Sequence, residues 1–254
     1  MVKKRLDLLL VERGLAESRA QAQALVLAGR VPGHSKAGER LVETVALEVR
    51  RPPRFVSRGG EKLAHALDVL GVAVEGADCL DVGASTGGFT DCLLQRGARR
   101  VIALDVGYGQ LHPKLRSDAR VTVLERVNAR ELREVPFPPA VITCDVSFIS
   151  LRLVLPAVLR LAASGWQALV LVKPQFEAGR PEAKGGVVRE AEVQRRVLRE
   201  IAASAAGLRA RPAGVVDSGL PGPKGNREFF LYLVHDAAPR LPDELEGWIE
   251  AAVG

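Results

Sequence analysis

A glycine-rich segment from Asp81 to Phe89 lies between an apolar run and a helical pattern. Glycine lets the backbone turn sharply and approach a ligand, and ligands of α/β proteins usually bind where the strands end. The segment has neither the G-x-G-x-x-G pattern of dinucleotide-binding turns nor the G-K-S/T ending of a phosphate-binding loop. Its spacing therefore fits a nucleoside cofactor without a pyrophosphate, although the glycines could also serve close packing alone.

Two polar residues farther along the chain could complete a nucleoside site. Asp105 ends the next predicted strand, where a carboxylate can accept hydrogen bonds from ribose hydroxyls. Asn128 follows the third strand, where its side-chain amide could pair with an adenine edge. Together with the glycine turn, these residues predict S-adenosylmethionine as the cofactor. The predicted cofactor-binding residues are Asp81, Gly83, Ser85, Gly87, Gly88, Phe89, Asp105 and Asn128.

The elements that must position these residues alternate between helices and strands from residue 58 onward. Because the strands are apolar runs separated by helices, we expect a mostly parallel, Rossmann-like α/β sheet covered on both faces. A loop rich in proline and glycine joins Val215-Val216 to Phe229–Val234, which predicts an antiparallel hairpin at the sheet edge. Residues 239–254 are predicted to form a short terminal helix. The other strands are predicted at Cys79–Gly83, Val101–Val106, Val121–Val127, Val141–Val146 and Leu169–Lys173, and the other helices at Gly60–Leu70, Gly87–Arg96, Leu151–Ala163 and Arg189–Ala206.

The first 50 residues predict a small α+β domain of their own. Two short helical patterns end at Gly14 and Gly29, the second begins at Ser18, and Val42–Val49 alternates like a strand. Residues 51–57 begin with Arg-Pro-Pro-Arg, which interrupts the periodicity and is typical of a linker. We therefore predict one domain over residues 1–50 and a second over residues 58–254.

The excess positive charge is confined to the beginning of the chain. Residues 1–60 contain 12 Lys or Arg and 6 Asp or Glu, which accounts for the whole net charge of +6. This asymmetry favours a basic module that meets a polyanion, although a solvated basic helix face would look the same. Aromatic residues are only 4% of the chain, so structured RNA is a better candidate than stacked single strands.

Several other classes of protein do not fit this sequence. No run of about 18 apolar residues is present, and the apolar run after the basic N-terminus is too short for a signal peptide, so we expect a cytoplasmic protein. The three cysteines suit neither a disulfide framework nor a metal cluster, and the four histidines lack ligand spacing, so we expect no metal. Ser85 is outside a G-x-S-x-G elbow, which argues against a hydrolase.

Four motifs, taken in order, resemble the TlyA family, whose members are often labelled hemolysin A. They are Ser57–Leu63 (SRGGEKL), Asp81–Phe89, Asp145–Ser150 (DVSFIS) and Leu171–Glu177 (LVKPQFE). The family joins an S4-type RNA-binding domain to a methyltransferase similar to FtsJ. Arg5-Leu6-Asp7, Ser18-Arg19 and Leu27–Val31 resemble the S4 pattern, with Pro32-Gly33-His34 in place of its usual Val-Asn-Gly turn. The residues expected to contact RNA are Arg5, Ser18, Arg19, Arg30, Arg51, Arg54 and Arg58.

The resemblance implies a catalytic tetrad of Lys62, Asp145, Lys173 and Glu228. A ribose 2′-hydroxyl is a weak nucleophile, and an ordinary lysine is a poor base at neutral pH unless burial or a second cation disfavours its charged form. We expect Lys173 to receive or steer the proton beside Lys62, with Asp145 holding Lys173. Glu228, at the start of the edge strand, would order Lys62 or the ribose. Each residue also has a plainer role, as a solvent-facing lysine, a helix cap or a surface ion pair.

The function that the resemblance implies is 2′-O-methylation of a ribosomal RNA cytidine, with S-adenosylmethionine as methyl donor. The expected partner is ribosomal RNA or a ribosomal subunit, and neither a membrane nor a metal is expected. Two alternatives remain open. A protein that binds RNA or assists ribosome assembly without catalysis would need the basic module only. A membrane-lytic hemolysin would need an apolar span or an amphipathic membrane face, and the sequence shows neither.

Overall fold

The computed structural model describes residues 3–50, 53–179 and 181–254. The chain forms two compact units, Met1–Pro53 and Arg54–Gly254. Residues 54–57, which the sequence predicts as part of a linker, belong to the larger unit. There the Phe55 side chain is buried, and the backbone N–H of Val56 donates to the Asp91 carboxylate at 2.9 Å. Arg51 lies outside the described residues.

The smaller unit contains two short helices and a two-stranded antiparallel sheet. Its elements are β1 (Lys3–Arg5), α1 (Leu6–Glu12), α2 (Arg19–Leu27) and β2 (Arg40–Val42). Ser18 caps α2, because its hydroxyl oxygen accepts from the backbone N–H of Gln21 at 3.2 Å. The strand predicted at Val42–Val49 is wrong: β2 ends at Val42, because the chain turns there and the backbone N–H of Val45 donates to the Val42 carbonyl at 3.0 Å.

The larger unit is built on a seven-stranded sheet in the order β5-β4-β3-β6-β7-β9-β8. The strands from β5 to β7 are parallel, and β9 runs antiparallel to both of its neighbours, which confirms the predicted mostly parallel sheet with a final hairpin. The strands are β3 (Asp78–Val82), β4 (Arg100–Asp105), β5 (Val121–Glu125), β6 (Val141–Cys144), β7 (Gln167–Val172), β8 (Ala210–Asp217) and β9 (Phe229–His235).

The last strand is inside the sheet, so the prediction that Glu228 begins an edge strand is wrong. β9 lies between β7 and β8, and β8 is the edge. The reason is visible in the residue types: Phe229, Phe230, Leu231 and Leu233 are fully buried and need cover on both faces of the sheet. The edge strand β8 instead contains Pro212, where its register with β9 shifts, as is common at sheet edges.

Helices cover both faces of this sheet and create two apolar cores. One core is formed with α6 (Leu151–Leu159), α8 (Ala191–Ala206) and α9 (Leu245–Val253). The other is formed with α3 (Arg58–Leu70), α4 (Gly88–Gln95) and α5 (Pro113–Arg116), and α7 (Pro174–Glu177) follows β7. Across the ranges that the structure describes, none of the helices combines the length and apolarity that a bilayer crossing demands.

The strand order fixes where a ligand can bind. From β3 the chain moves outward through β4 and β5, and then crosses to β6 on the other side of β3. The direction of winding therefore changes between β3 and β6. In open α/β sheets the crevice at the carboxyl ends of two such strands is the usual ligand site. Gly83 directly follows β3 and Asp145 directly follows β6, so both lie at this crevice.

Candidate functional site

The glycine turn after β3 is packed too closely for larger residues. Gly83 has φ +83°, and a Cβ on it would lie 2.3 Å from the carbonyl oxygen of Asp145. Gly87 has φ +94°, and a Cβ there would lie 2.3 Å from a methyl carbon of Leu115. These two glycines let the ends of β3 and β6 approach each other and let α4 begin beside α5. The turn therefore has a packing role, whatever else it contacts.

A cavity of about 530 Å³ opens beside this turn. Such a volume suits a nucleoside-sized ligand, and its walls combine apolar side chains with a few polar groups, as small-molecule sites do. Asp105 lies in the wall and accepts from the backbone N–H groups of Ser85 at 2.8 Å and Gly107 at 2.6 Å. Asn128 also lines the cavity, and its side-chain oxygen accepts from the Arg130 N–H at 3.2 Å. The apolar wall includes Val106, Val127, Val146, Ile149 and Val154.

Asp81 lies beneath the glycine turn and lines neither this cavity nor the second one described below. It is fully buried, where its carboxylate accepts from the hydroxyls of Thr90 on α4 at 2.7 Å and Thr143 on β6 at 3.0 Å. Burial raises the pKa of Asp81 to about 7. The carboxyl group thus joins three elements of the fold under the turn.

A second cavity, of about 260 Å³, brings all four predicted tetrad residues together. Lys62 comes from α3, Asp145 and Lys173 follow β6 and β7, and Glu228 precedes β9. Ser57, Arg58, Gly88, Phe89 and the loop at Pro221–Pro223 also line this cavity. Gly83, Ser85 and Asp145 belong to the walls of both cavities, so the two cavities meet at the crevice between β3 and β6.

Two lysine–carboxylate pairs form the polar wall of the second cavity. The Nζ of Lys173 lies 2.5 Å from Oδ1 of Asp145, and the Nζ of Lys62 donates to Oε2 of Glu228 at 2.5 Å. Lys62 is 7% exposed and Glu228 is 1% exposed, so each of these charges depends on the other for compensation. Removing either partner would leave the other as an uncompensated buried charge.

Three further residues around the tetrad were not among the predicted site residues. Ser147 accepts a hydrogen bond from the Nζ of Lys173 at 2.9 Å, and Gln175 donates from Nε2 to Oε1 of Glu228 at 3.3 Å. Phe148 is 90% exposed at φ +64°, with its ring centroid 4.8 Å from that of Phe176. All three lie in the DVSFIS and LVKPQFE motifs, which were therefore the available signal. An exposed aromatic residue in the left-handed region is uncommon away from functional sites.

The predicted RNA contacts in the smaller unit are organised by a buried carboxylate. Arg5 and Arg19 each donate to Asp7, at 3.0 and 3.1 Å, and Gln23 donates to the same group. These donors, Arg5 first, hold the pKa of Asp7 well below its usual range. The two guanidinium groups are therefore fixed in place while remaining about half exposed.

The other predicted RNA contacts are distributed over both units. Arg30 is half-buried in the smaller unit, where its carbonyl accepts from the Arg50 N–H at 2.7 Å. In the larger unit, Arg54 lies over the Phe55 ring at 4.8 Å, and Arg58 donates to the carbonyl of Pro221 in the wall of the second cavity.

Comparison with known proteins agrees with this arrangement. The FtsJ-like methyltransferase model matches residues 55–235, and the S4 domain model matches residues 4–31. Over 238 residues the chain is 47% identical to the "16S/23S rRNA (cytidine-2'-O)-methyltransferase TlyA" of Mycobacterium tuberculosis H37Rv, a match covering 90% of this chain and 89% of that protein.

Two further relatives are similar over nearly the same length. One, from Bacillus subtilis, is provisionally described as the rRNA methyltransferase YqxC and is 46% identical over 91% of this chain and 85% of its own. A solved structure from Streptococcus thermophilus, provisionally described as a hemolysin, has 40% identity and a TM-score of 0.76 over 99% of this chain and 96% of that one. These matches confirm the resemblance seen in the four motifs: the chain belongs to the TlyA family of FtsJ-like methyltransferases, with an S4 domain at its N-terminus.

Proposed function

We propose that this protein transfers a methyl group from S-adenosylmethionine to the 2′-oxygen of a cytidine in ribosomal RNA. The observation that carries the proposal is the junction of two cavities at Gly83, Ser85 and Asp145, one of nucleoside size and one lined by two lysine–carboxylate pairs. The substrate comes from the relatives, since the Mycobacterium tuberculosis protein is named for cytidine-2′-O-methylation of 16S and 23S rRNA. The compartment would then be the cytoplasm, where ribosomal RNA is.

The larger cavity would hold the cofactor. The Asp105 carboxylate would accept hydrogen bonds from the ribose hydroxyls. The backbone N–H groups of Ser85 and Gly107 already hold this carboxylate in a fixed orientation. Asn128 would pair with the adenine edge between the apolar walls. When bound, S-adenosylmethionine supplies an electrophilic methyl group on a positively charged sulfur and leaves as the neutral thioether. Gly83 and Ser85 belong to the walls of both cavities, so a cofactor held in the larger one would have its methyl group near the tetrad.

The smaller cavity would hold the acceptor ribose. The Lys173 amine, in its uncharged form, would take the proton of the 2′-hydroxyl while the oxygen gains its bond to the methyl carbon, and Asp145 would hold that amine in place. The Lys62–Glu228 pair, in the same polar wall, would order the sugar. Much of the rate enhancement would come from holding the 2′-oxygen, the methyl carbon and the sulfur in line, because correct positioning alone lowers the barrier.

Phe148 provides a surface for the base of the target nucleotide. Its ring is exposed beside the cofactor cavity, and a volume of about 260 Å³ in the smaller cavity is suited to the sugar more than to a whole nucleotide. A cytosine that leaves its helix needs a stacking partner to offset the lost stacking, and an aromatic side chain offers one. Phe148 therefore supports a substrate whose base is extruded from the RNA.

The smaller unit would dock the RNA through its arginines. Arg5 and Arg19, oriented by Asp7, are suited to bidentate contacts with phosphate oxygens. In the larger unit, Arg58 lines the smaller cavity and would contact a phosphate next to the target ribose. Because such contacts release counterions, RNA affinity should fall steeply with increasing salt.

The proposal is tested by mapping 2′-O-methyl groups on ribosomal RNA before and after incubation with protein and S-adenosylmethionine. We expect new cytidine marks with the wild type, none with Lys173→Ala, and unchanged marks with Lys114→Ala, whose ammonium is exposed and outside both cavities. RNA binding without any new mark would favour the non-catalytic alternative and refute the proposal. A liposome leakage assay run in parallel tests the lytic role suggested by the description of the Streptococcus thermophilus relative.

A further inference from the structure

We propose that Ser147 is a positioning residue that aims the lone pair of Lys173 at the acceptor ribose and connects this alignment to the cofactor cavity. The inference rests on the proposed function, and it gives a role to a side chain outside the tetrad. It starts from a single hydrogen bond. The Nζ of Lys173 donates to Oγ of Ser147 at 2.9 Å, three residues beyond the end of β6.

The amine of Lys173 has two oxygen neighbours, and they differ in kind. Ser147 Oγ accepts a hydrogen bond from Nζ at 2.9 Å, whereas Asp145 Oδ1 lies 2.5 Å from Nζ as an ion-pair partner and accepts no hydrogen bond among the described residues. An uncharged amine keeps two N–H bonds and one lone pair in a roughly tetrahedral arrangement. If Ser147 takes one N–H bond and the Asp145 carboxylate turns to take the other, the lone pair is left in the remaining direction. Lys173 lines the smaller cavity, so that direction is available to a hydroxyl held there.

With Asp145 alone, the amine could rotate about its last carbon–nitrogen bond. One acceptor fixes one N–H bond and leaves the second N–H and the lone pair free to exchange places. A second acceptor at a fixed position removes this freedom, which is the geometric requirement for a general base. Ser147 can fix the amine in this way because it and Asp145 both lie in the short segment that follows β6. One stretch of backbone therefore positions both oxygens.

Ser147 also connects the two cavities. Its side chain lies in the wall of the larger cavity, whereas the lysine that it contacts lines the smaller one. A hydroxyl oxygen that accepts from an amine still has its own proton to donate. Among the described residues that hydroxyl donates no hydrogen bond, so it can donate into the cofactor cavity. A cofactor that accepts this bond would fix the hydroxyl and, through it, the amine.

The test compares Ser147→Ala with Ser147→Thr in steady-state methylation of purified ribosomal RNA. The alanine variant loses the acceptor, and we expect kcat to fall roughly ten- to hundredfold, as is typical when a hydrogen bond to a charged or reacting group is removed, with KM for RNA within about twofold. The threonine variant keeps the hydroxyl and should restore kcat to within about threefold. Ser117→Ala, on a serine that lines neither cavity, should match the wild type.

The dissociation constant of S-adenosylmethionine, measured by calorimetry, is a second readout that does not depend on turnover. We expect it to weaken by a few fold in Ser147→Ala and to recover in Ser147→Thr. An unchanged kcat in Ser147→Ala, or a loss that threonine does not restore, would overturn the inference while leaving the proposed function intact. A wild-type protein that methylates no ribosomal RNA would overturn both.

Discussion

Replacing Gly83 with alanine should force apart the two strand ends at which the cavities meet. A Cβ at this position would lie 2.3 Å from the carbonyl oxygen of Asp145, whereas ordinary contact begins near 3.4 Å. The oxygen belongs to the backbone, so no side-chain rotation can relieve the overlap, and the ends of β3 and β6 must separate by about 1 Å. Asp145 would carry Lys173 with it, because the two are paired at 2.5 Å.

The expected effect on catalysis is large compared with the effect on stability. A misplacement of about 1 Å in the reacting groups can cost about 100-fold in rate, so we expect kcat for ribosomal RNA methylation to fall by about that factor. The positive φ of +83° should separately lower the free energy of unfolding by about 1–2 kcal/mol, because a Cβ is strained in that conformation. Initial rates at saturating substrates and urea unfolding measure the two effects independently.

Gly76→Ala is the matched control for this experiment. Gly76 has φ +71°, and a Cβ there would meet nothing within 4 Å, so alanine brings the backbone strain without the overlap. We expect this variant to lose the stability that the positive φ costs, about 1–2 kcal/mol, without the further loss that the overlap adds in Gly83→Ala, and to keep the wild-type rate. Equal rates for Gly83→Ala and Gly76→Ala would refute the argument that close approach at Gly83 sets the geometry of the site.

Three other predictions concern side chains around the site. Phe148→Ala should lower kcat/KM for RNA about tenfold or more while leaving the dissociation constant of S-adenosylmethionine nearly unchanged, since stacking on an aromatic ring contributes about 1–3 kcal/mol per base; Phe148→Tyr should retain activity. Gln175→Met should slow methylation roughly tenfold through loss of the hydrogen bond to Glu228, with normal folding by circular dichroism; an unchanged rate would contradict this role. Asp81→Asn should become more stable relative to the wild type as the pH rises from about 4 to about 7, measured by urea unfolding. Folding raises the pKa of Asp81 from 3.8 to about 7, so the folded wild type holds more protons in that interval and loses stability as pH rises, whereas asparagine cannot ionise; a parallel pH dependence for both proteins would contradict this.

Much of the larger unit could be predicted because its local and global signals agree. The apolar runs before Gly83, Asp105 and Asp145 are buried strands, and their carboxyl ends meet as parallel strands require. The resemblance to the TlyA family, with the tetrad that it implies, is what groups Lys62 with Glu228 in the sequence. Their contact could not be deduced from spacing, because 166 positions separate them and only the tertiary fold brings them to 2.5 Å.

The errors have identifiable physical causes. Alternation in Val42–Val49 predicts a strand, but the chain turns directly after Val42, and a pattern of alternating apolar residues does not reveal such a turn. The sequence predicts Glu228 at an edge strand if the final hairpin simply adds to the outside of the sheet. The burial of Phe229 and its neighbours shows that the last strand enters the sheet instead. The burial of Asp81 could not be predicted from the sequence either. A carboxylate that faces a ligand in the turn and one that is buried beneath the turn give the same sequence pattern.

The insertion of β9 between β7 and β8 has a consequence for protein synthesis. Glu228, which compensates the buried ammonium of Lys62, is synthesised 166 residues after that lysine. A nascent chain that ends before Glu228 has its glycine turn and six of the seven strands of the large sheet, but β8 lacks its partner and the ammonium on α3 lacks its carboxylate. Such a chain could not complete the smaller cavity, so the enzyme would gain its activity only after Glu228 and β9 have been synthesised.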